Sequence, residues 1–344
     1  MKKQLLALMF LLAGLSLVAQ TPRLSLVEEF TGETCPPCAA NNPAFNTLLS
    51  LPTNTTKVVP IKWQVPIPSA PSNTWSLYQT DKVEIDWRWQ TYGYGINSAP
   101  SVRIDGQFPT AFGAGGENIT QMNSTVFSTA QSYTSAFSIT LNRSWDPTFS
   151  TITVTVNIAA TANFAPVGAL LFRLVMVEQT IQFATQPGTN GETTFYNAAR
   201  KSFPSLQNGT ALTPGNWTNG QTQTMVITCP VPSYIRDKGE IGFVGFIQDD
   251  GNMQVAQAVR SLKQPFANDA KAISASAANY FTCGNSASPS IVILNNGSTA
   301  ITDLTVTPTI DGIVSSPTSW NNGNLAIGAT MTLALNAVNT TVGG

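Results

Sequence analysis

Histidine is missing from all 344 positions. Without an imidazole, Ser-His-Asp and Cys-His catalysis are excluded, as is every zinc or iron site that needs a histidine ligand. Charge is scarce too: 17 Lys and Arg against 18 Asp and Glu make up 10% of the chain and leave a net charge of −1. Soluble domains usually carry about 25% charged residues, so this surface must be built mostly from Ser, Thr, Asn and Gln. It lacks the basic footprint that nucleic-acid binding requires. Little electrostatic self-repulsion suits an extracellular or assembly-forming protein, and suits a plain secreted β protein equally well. Long apolar runs are absent after the first 20 residues, so no later stretch is suited to cross a membrane as a helix.

The one apolar run, Leu5 to Val18, follows Met1-Lys2-Lys3 and ends in small residues around Ala19-Gln20. That is the pattern of a secretory signal, over residues 1–20. No cysteine stands at the cleavage site, so a lipid anchor there is not expected.

Cysteine is limited to four, in an exported chain. Cys35-Pro36-Pro37-Cys38 sits at a strand-to-helix turn, just after Leu24-Ser25-Leu26-Val27-Glu28-Glu29-Phe30. A helix N-terminus offers free N–H groups and a positive dipole end, which favour a thiolate. The two prolines suit a first helical turn, which needs no N–H donors. Four cysteines allow three pairings. Cys35–Cys38 with Cys229–Cys283 is favoured, because cysteines with two residues between them can pair locally, and the second bond reads as a structural staple. A Cys₄ zinc site is the alternative, but an oxidising compartment favours disulfides. With no EF-hand-like loop either, neither metal nor cofactor is expected.

The chain is too long for one ordinary domain. From residue 21 to 131, strand and helix signals alternate, with strands at Leu24–Phe30, Lys57–Val65 and Ser101–Ile104 and helices at Cys38–Leu51, Trp75–Tyr92 and Ile119–Gln131. Such alternation predicts a mainly parallel or mixed sheet with helices on its faces. Over 134–262 the period becomes two, as in Thr151–Ala159, and Leu170–Glu178 is a continuous apolar strand. This predicts an antiparallel sandwich, interrupted by a long loop over Gln179–Gly220. Lys263–Asn279 reads as a linker. Residues 280–344 read as a second immunoglobulin-type sandwich, shorter than the roughly 100 residues usual for such modules and expected to lack its last strands.

Further residues around the cysteine pair resemble the thioredoxin superfamily. Glu29-Phe30 stand at the corresponding place before the first cysteine, Pro43 lies five residues after the second, and Tyr94-Gly95-Ile96-Asn97-Ser98-Ala99-Pro100 precedes a strand as that family's cis-proline does. The resemblance implies Cys35 as exposed nucleophile, Cys38 as resolving thiol, and a cis Pro100 presenting the backbone of Ala99 to an extended partner. It also implies Glu29 buried beneath the site, with a raised pKa, accepting the proton of Cys38. Thr34 departs from the usual tryptophan, and Pro66 to Gly93 is an insertion relative to a minimal member.

Across nearly the whole chain the sequence resembles the Omp28-related outer-membrane proteins of Bacteroidetes. The matching stretches are Leu26-Val27-Glu28-Glu29-Phe30-Thr31-Gly32, Tyr196-Asn197-Ala198-Ala199-Arg200-Lys201 and Val244-Gly245-Phe246-Ile247-Gln248-Asp249. This implies export to the outer membrane or outer surface of a Gram-negative bacterium. Two functions remain open. One is a surface structural or interaction protein, adhesin- or assembly-type, whose partners are other exported proteins or further copies of itself joined at an open strand edge. The other is a thiol–disulfide oxidoreductase using Cys35 and Cys38. A hydrolase has no acid/base spacing to support it: Asp249-Asp250 reads as a turn with solvated charge, and the aromatic cluster Trp75, Tyr78, Trp87, Trp89, Tyr92 and Tyr94, of a kind that can bind sugar or peptide, is read as core packing of the inserted helix.

Overall fold

The computed structural model describes residues 20–278, 286–310 and 313–339. The signal-like segment up to Ala19, Cys283 and the Asp311-Gly312 turn lie outside the described residues. The chain divides into two compact units, one ending at Lys263 and one beginning at Gln264. Both are rich in strands, as a multidomain β-rich reading requires.

The first unit is organised around one mixed sheet. Strand β1, Ser25–Thr31, is buried along its whole length, which fits an apolar run covered on both faces. Helix α1, Pro36–Ser50, carries the chain over to β2, Val58–Gln64, which lies parallel to β1. Strand β3, Ser101–Ile104, joins the other side of β1 in antiparallel register. Helix α2, Ser124–Ser132, begins at Asn123, whose side chain accepts from the N–H groups of Thr125 and Val126, an N-cap of the usual kind. Phe45 and Leu49 of α1 meet Val27, Val102 and the α2 residues Val126 and Phe127 in one cluster.

The later part of the unit adds β4 (Phe137–Trp145), β5 (Thr151–Ala160), β6 (Leu170–Gln182), β7 (Thr194–Phe203), β8 (Thr222–Pro230), β9 (Ile241–Asp249) and β10 (Gln254–Ser261). The mixed sheet runs in the order β10-β9-β6-β7-β2-β1-β3, so N-terminal and later strands share one surface. The junction is slight, a single parallel bridge from Lys62 to Ala198. Pro60, two residues before that bridge, therefore costs β2 little in lost ladder hydrogen bonds.

Strands β8, β5 and β4 form a separate antiparallel sheet. Its period-two face, Ile152, Val154, Val156 and Ile158, packs on Phe172, Leu174, Met176 and Phe243 of the mixed sheet, giving the two-layer arrangement of a sandwich. On the mixed sheet's other face, Trp63, Tyr78, Ile85, Tyr94, Val175 and Phe246 share a second core.

Three local readings are corrected. The Gln179–Gly220 loop contains strand β7 and the end of β6. Asn and Gly have poor intrinsic claims on a strand, but β7 is held on one side by the preceding strand β6 and bridged on the other to the distant β2. The expected helix Trp75–Tyr92 is two short helices, Leu77–Thr80 and Lys82–Asp86, followed by a π-helical turn at Trp87–Thr91. Such turns often mark a place where a helix accommodates a demanding side chain, here the fully buried Arg88. The Lys263–Asn279 linker contains β11, Ala270–Ala278.

In the second unit β11 pairs with β12, Ser286–Asn295, which in turn pairs with β13, Thr330–Ala334. Its small core gathers around Ile293, Ile301 and Leu325. The buried Asn295 amide donates to the main-chain oxygens of Thr299 and Leu325, each at 2.8 Å, and ties the turn to this core.

Candidate functional site

Strand β1 turns at Gly32 into the cysteine pair. A β-carbon at Gly32 would lie 2.7 Å from the oxygen of Ile67 and 2.8 Å from that of Val65, so only glycine fits. The N–H of Cys35 donates to the Gly32 oxygen at 3.1 Å. Cys35 is the N-cap of α1, and its Sγ accepts from the N–H of Cys38 at 3.2 Å. Pro36 and Pro37 fill the first helical positions, and Pro43 lies inside the helix. Cys35 and Cys38 are joined in a disulfide, with Cα atoms 5.2 Å apart.

The Ala99–Pro100 peptide is cis, and the Ala99 oxygen lies 3.5 Å from Cys35 Sγ. Glu29 lies one pleat from the turn, buried, with Lys62 Nζ at 2.5 Å from its carboxylate. The two residues are direct neighbours in the parallel β1–β2 register. Lys62 also stands 5.3 Å over the Phe45 ring of α1. The expectation for Glu29 did not include this counter-ion, although a lysine in the apolar run Val58–Gln64 is itself a signal, since a buried lysine needs a partner.

Cys35 is 1% exposed and Cys38 0%, so the expected exposed nucleophile is buried. Residues far away in sequence are hydrogen-bonded to the cysteine turn. The segment between β6 and β7 lies against the turn: the N–H groups of Thr189 and Asn190 donate to the Glu33 oxygen at 3.0 and 3.2 Å. Asn190 Nδ2 donates to the oxygens of Gly32, at 3.0 Å, and Cys35, at 3.4 Å. Glu192 links the same segment to α1, accepting from Asn190 Nδ2 at 2.7 Å and from Asn42 Nδ2 at 2.8 Å. A β-carbon on Gly188 would collide with the Glu33 backbone. The inserted segment contributes as well, since Thr34 Oγ1 donates to the Ser69 oxygen and Asn73 Nδ2 to that of Pro187.

Burial pushes the Glu33 carboxyl above the usual range, against two main-chain donors, Leu77 and Tyr78 N–H at 2.9 Å each, that stabilise its charge. Burial likewise raises Glu192, partly offset by its two amide donors. Both carboxyls belong to the contacts around the turn rather than to the sulfurs.

The inserted segment is anchored by a buried network that the sequence reading did not find. Arg88 Nε and Nη2 donate to the two oxygens of Glu28, each at 2.7 Å, and Nη1 donates to Gln248 Oε1 at 3.0 Å. Arg173 donates to the same Gln248 oxygen at 3.2 Å and forms a two-point pair with Asp250 at 2.8 Å. Asp249 accepts from the N–H groups of Val167, Gly168 and Gly251. The Asp249-Asp250 pair is thus engaged in structure and not merely solvated. Tyr78 and Tyr94 are buried, and Trp87, Trp89 and Tyr92 pack against the same core, in line with the packing role read for these aromatics; Trp75 is the exception, at 40% exposure.

Among the described residues Cys229 is a buried thiol with no disulfide partner, pushed up to about 12 by burial. Cys283, its expected partner, lies outside the described residues. Among the described residues no group of three or more His, Cys, Asp or Glu is placed to hold a metal ion. No helix among them is long and apolar enough to cross a membrane.

No family model matches the chain, and no curated protein matches it by sequence. Among solved structures, HBP35 of Porphyromonas gingivalis superposes with a TM-score of 0.53 at 13% identity, over 94% of this chain and 100% of that one. The two chains share a fold. A domain of the outer membrane lipoprotein Omp28 from the same organism matches at a TM-score of 0.26 and 14% identity, over 38% of this chain and 90% of that one.

Proposed function

We propose that this chain is an exported, outer-membrane-associated surface protein that works by interaction, and that its thioredoxin-like N-terminal region, residues 21–131, is a redox-silent scaffold. The observation that carries the reading is the burial of Cys35, 1% exposed beneath Asn190, Glu192 and the inserted segment. A nucleophilic sulfur has to meet the partner's sulfur along an open approach, and here both cysteines are buried, with the Ala99 oxygen 3.5 Å from Cys35 Sγ. The cis Ala99–Pro100 peptide, Pro43 and the β1-turn-α1 geometry support the thioredoxin-like reading. The signal-like N-terminus, the low charge and the resemblance of Leu26–Gly32 to Omp28-related proteins support export and an outer-membrane setting. The second unit supports an immunoglobulin-like module by its antiparallel pairing and small apolar core.

Two measurements test this. Protease digestion of intact cells of the native host should remove the protein from the surface fraction. The purified chain from residue 21 should not turn over insulin disulfides in the presence of dithiothreitol. Turnover at the rate of an ordinary thioredoxin would overturn the scaffold reading, and protection from protease in intact, but not permeabilised, cells would overturn surface exposure.

The contact of Cys35 Sγ with Ala99 beside cis Pro100 favours a second reading, thiol–disulfide exchange after the site opens. In that cycle the Cys35 thiolate attacks a partner disulfide and releases one partner thiolate. Cys38 then attacks Cys35 Sγ, releasing the second partner thiolate and leaving Cys35–Cys38 oxidised. Cys38→Ser would then trap a mixed disulfide on Cys35 in the native host, whereas the scaffold reading expects none.

A further inference from the structure

Strand β8, Thr222–Pro230, is an outer strand of the three-stranded sheet and pairs with β5 along its whole length without a register shift. Just beyond either end of it, the Ala160 N–H donates to the Gln221 oxygen and the Val231 N–H to the Ser150 oxygen, each at 2.8 Å. These bonds fix the alternation of the antiparallel ladder. The odd-numbered residues of β8 turn their main-chain groups to β5, and Thr222, Thr224, Val226 and Thr228 turn theirs outward. Among the described residues no main-chain partner reaches those outward groups. Elsewhere in the unit the sheet edges are engaged. At β3 the Val102 N–H donates to the Glu117 oxygen, and at β10 the N–H groups of Val255 and Ala258 donate to the oxygens of Asp105 and Leu24.

Soluble proteins blunt an open edge with a charge, a proline or a bulge. Strand β8 has none of these before its last residue, Pro230. No Asp, Glu, Lys or Arg occurs anywhere from Ser202 to Ile235. The outer-face side chains of the strand are exposed, and Val226, at its midpoint, is 67% exposed. On the inner face Ile227 is only partly buried against the core.

We propose that two copies of this chain pair β8 with β8, antiparallel, across a two-fold axis at Val226, so that their three-stranded sheets become one continuous sheet. The axis sets Val226 against its own counterpart and Thr224 against Thr228 on the outer face. On the inner face it sets Met225 against Ile227, which covers the partly buried Ile227. The same axis brings the outward N–H groups of Thr222, Thr224, Val226 and Thr228 opposite main-chain oxygens of the second copy. Pro230, at the margin, forgoes only a terminal donor. Thr–Thr and apolar cross-strand pairs of this kind favour pairing, and like charges set opposite each other would oppose it. A two-fold contact brings one patch against itself, so an uncharged strand meets no repulsion there. The strand has no charge with which to select a foreign peptide, whereas its own sequence is complementary about its centre. This inference rests on the interaction reading above and names the partner, a second copy of the chain.

Sedimentation of the purified chain from residue 21 over about 1 to 100 µM tests it. We expect a concentration-dependent dimer. Val226→Lys sets two ammonium groups face to face across the axis and should weaken the dimer by about tenfold or more. Thr224→Pro removes an N–H that takes no part in the β5 ladder and should give a comparable loss. Thr140→Lys, exposed on the same face of the sheet but on β4, should leave the dimer unchanged. Val226 is exposed in the single chain, so Val226→Lys keeps its fold and the test survives even if Thr224→Pro misfolds. A chain that stays monomeric over the whole range overturns the proposal. So does a dimer that Val226→Lys leaves at full strength, or one that Thr140→Lys weakens equally. A monomer that protease still removes from intact cells sinks this inference alone, and a dimer protected from protease sinks the surface reading alone.

Discussion

The side chain of Asn190 donates a 3.0 Å hydrogen bond to the main-chain oxygen of Gly32, the residue at which β1 turns toward Cys35. That bond joins the loop between β6 and β7 to the turn that carries the buried disulfide.

If Asn190 holds this segment down, Asn190→Ala leaves one Glu192 oxygen without its donor, while the Gly32 oxygen keeps only the Cys35 N–H. A buried unpaired group of this kind costs about 1 to 3 kcal/mol. Local opening of the segment should then become more frequent, and reduction of Cys35–Cys38 by dithiothreitol should speed up by roughly fivefold or more. Alkylation at timed intervals followed by mass spectrometry measures this; an unchanged rate means the 183–193 segment does not gate the disulfide.

Reducing the disulfide should weaken the first unit modestly. The closed loop spans only the four residues Cys35 to Cys38, so the chain-entropy contribution is about 2 kcal/mol. Urea unfolding with and without a strong reductant should show a midpoint shift of that size. A much larger loss would mean that the bond holds the 183–193 segment as well as the turn.

Lys62→Met should cost about 3 to 5 kcal/mol, because it strands the Glu29 carboxylate in the core. In Glu29→Leu with Lys62→Met, both charges are gone and most of that loss should be recovered. A double-mutant cycle by chemical denaturation decides it, and additive losses would refute the coupling that the 2.5 Å ion pair implies.

Stability should rise, not fall, as the pH drops from 7 toward 5. Burial raises Asp105 to about 6, against the opposing influence of Arg23 and the Leu26 N–H. Burial also raises Glu33, Glu84, Glu178 and Glu192. A carboxyl with a higher pKa in the folded chain binds its proton more tightly when folded. Its burial therefore costs nothing below the unfolded value, and the cost grows as the pH climbs from the unfolded value to the folded one, above which it is complete. For Asp105 the full effect is about 3 kcal/mol. Urea midpoints between pH 4 and 7 should slope downward with rising pH, and Asp105→Asn should flatten the slope.

Cys229 should resist iodoacetamide at pH 8 in the folded chain, because its thiol is buried and pushed up to about 12. In urea without reductant it should become alkylated. If it stays unmodified until a reductant is added, it is disulfide-bonded, which is the Cys229–Cys283 pairing read from the sequence.

Much of the fold was legible because short-range pattern and burial agree. Ser101–Ile104 was read with the bounds it has, and Leu170–Glu178 extends only to Gln182. Helix α1 begins at the prolines that suit its first turn. Strand β7 was missed because Thr194, Asn197 and Lys201 form no period-two apolar run, and Asn197 adopts a positive φ of 51°. Its ladder depends on β6 and β2, which no local signal reports. The inserted helix was overextended because its aromatic residues mask the need to seat Arg88 against Glu28.

By itself, the sequence determined the chemistry at hand: no imidazole, little charge, and a Cys-Pro-Pro-Cys turn with a glutamate and a proline at telling distances. These follow from residue identity and local spacing alone. Only the tertiary structure decided whether that turn is open to a partner. Solvent access is set by what packs on the sulfurs, and here the packing groups, Asn190, Glu192 and Ser69, come from segments whose polar composition carries no sign of where they will lie. Their hydrogen bonds end on main-chain oxygens of the turn, on the Thr34 hydroxyl and on the amide of Asn42, so the match is one of shape and distance that exists only once the strands are assembled.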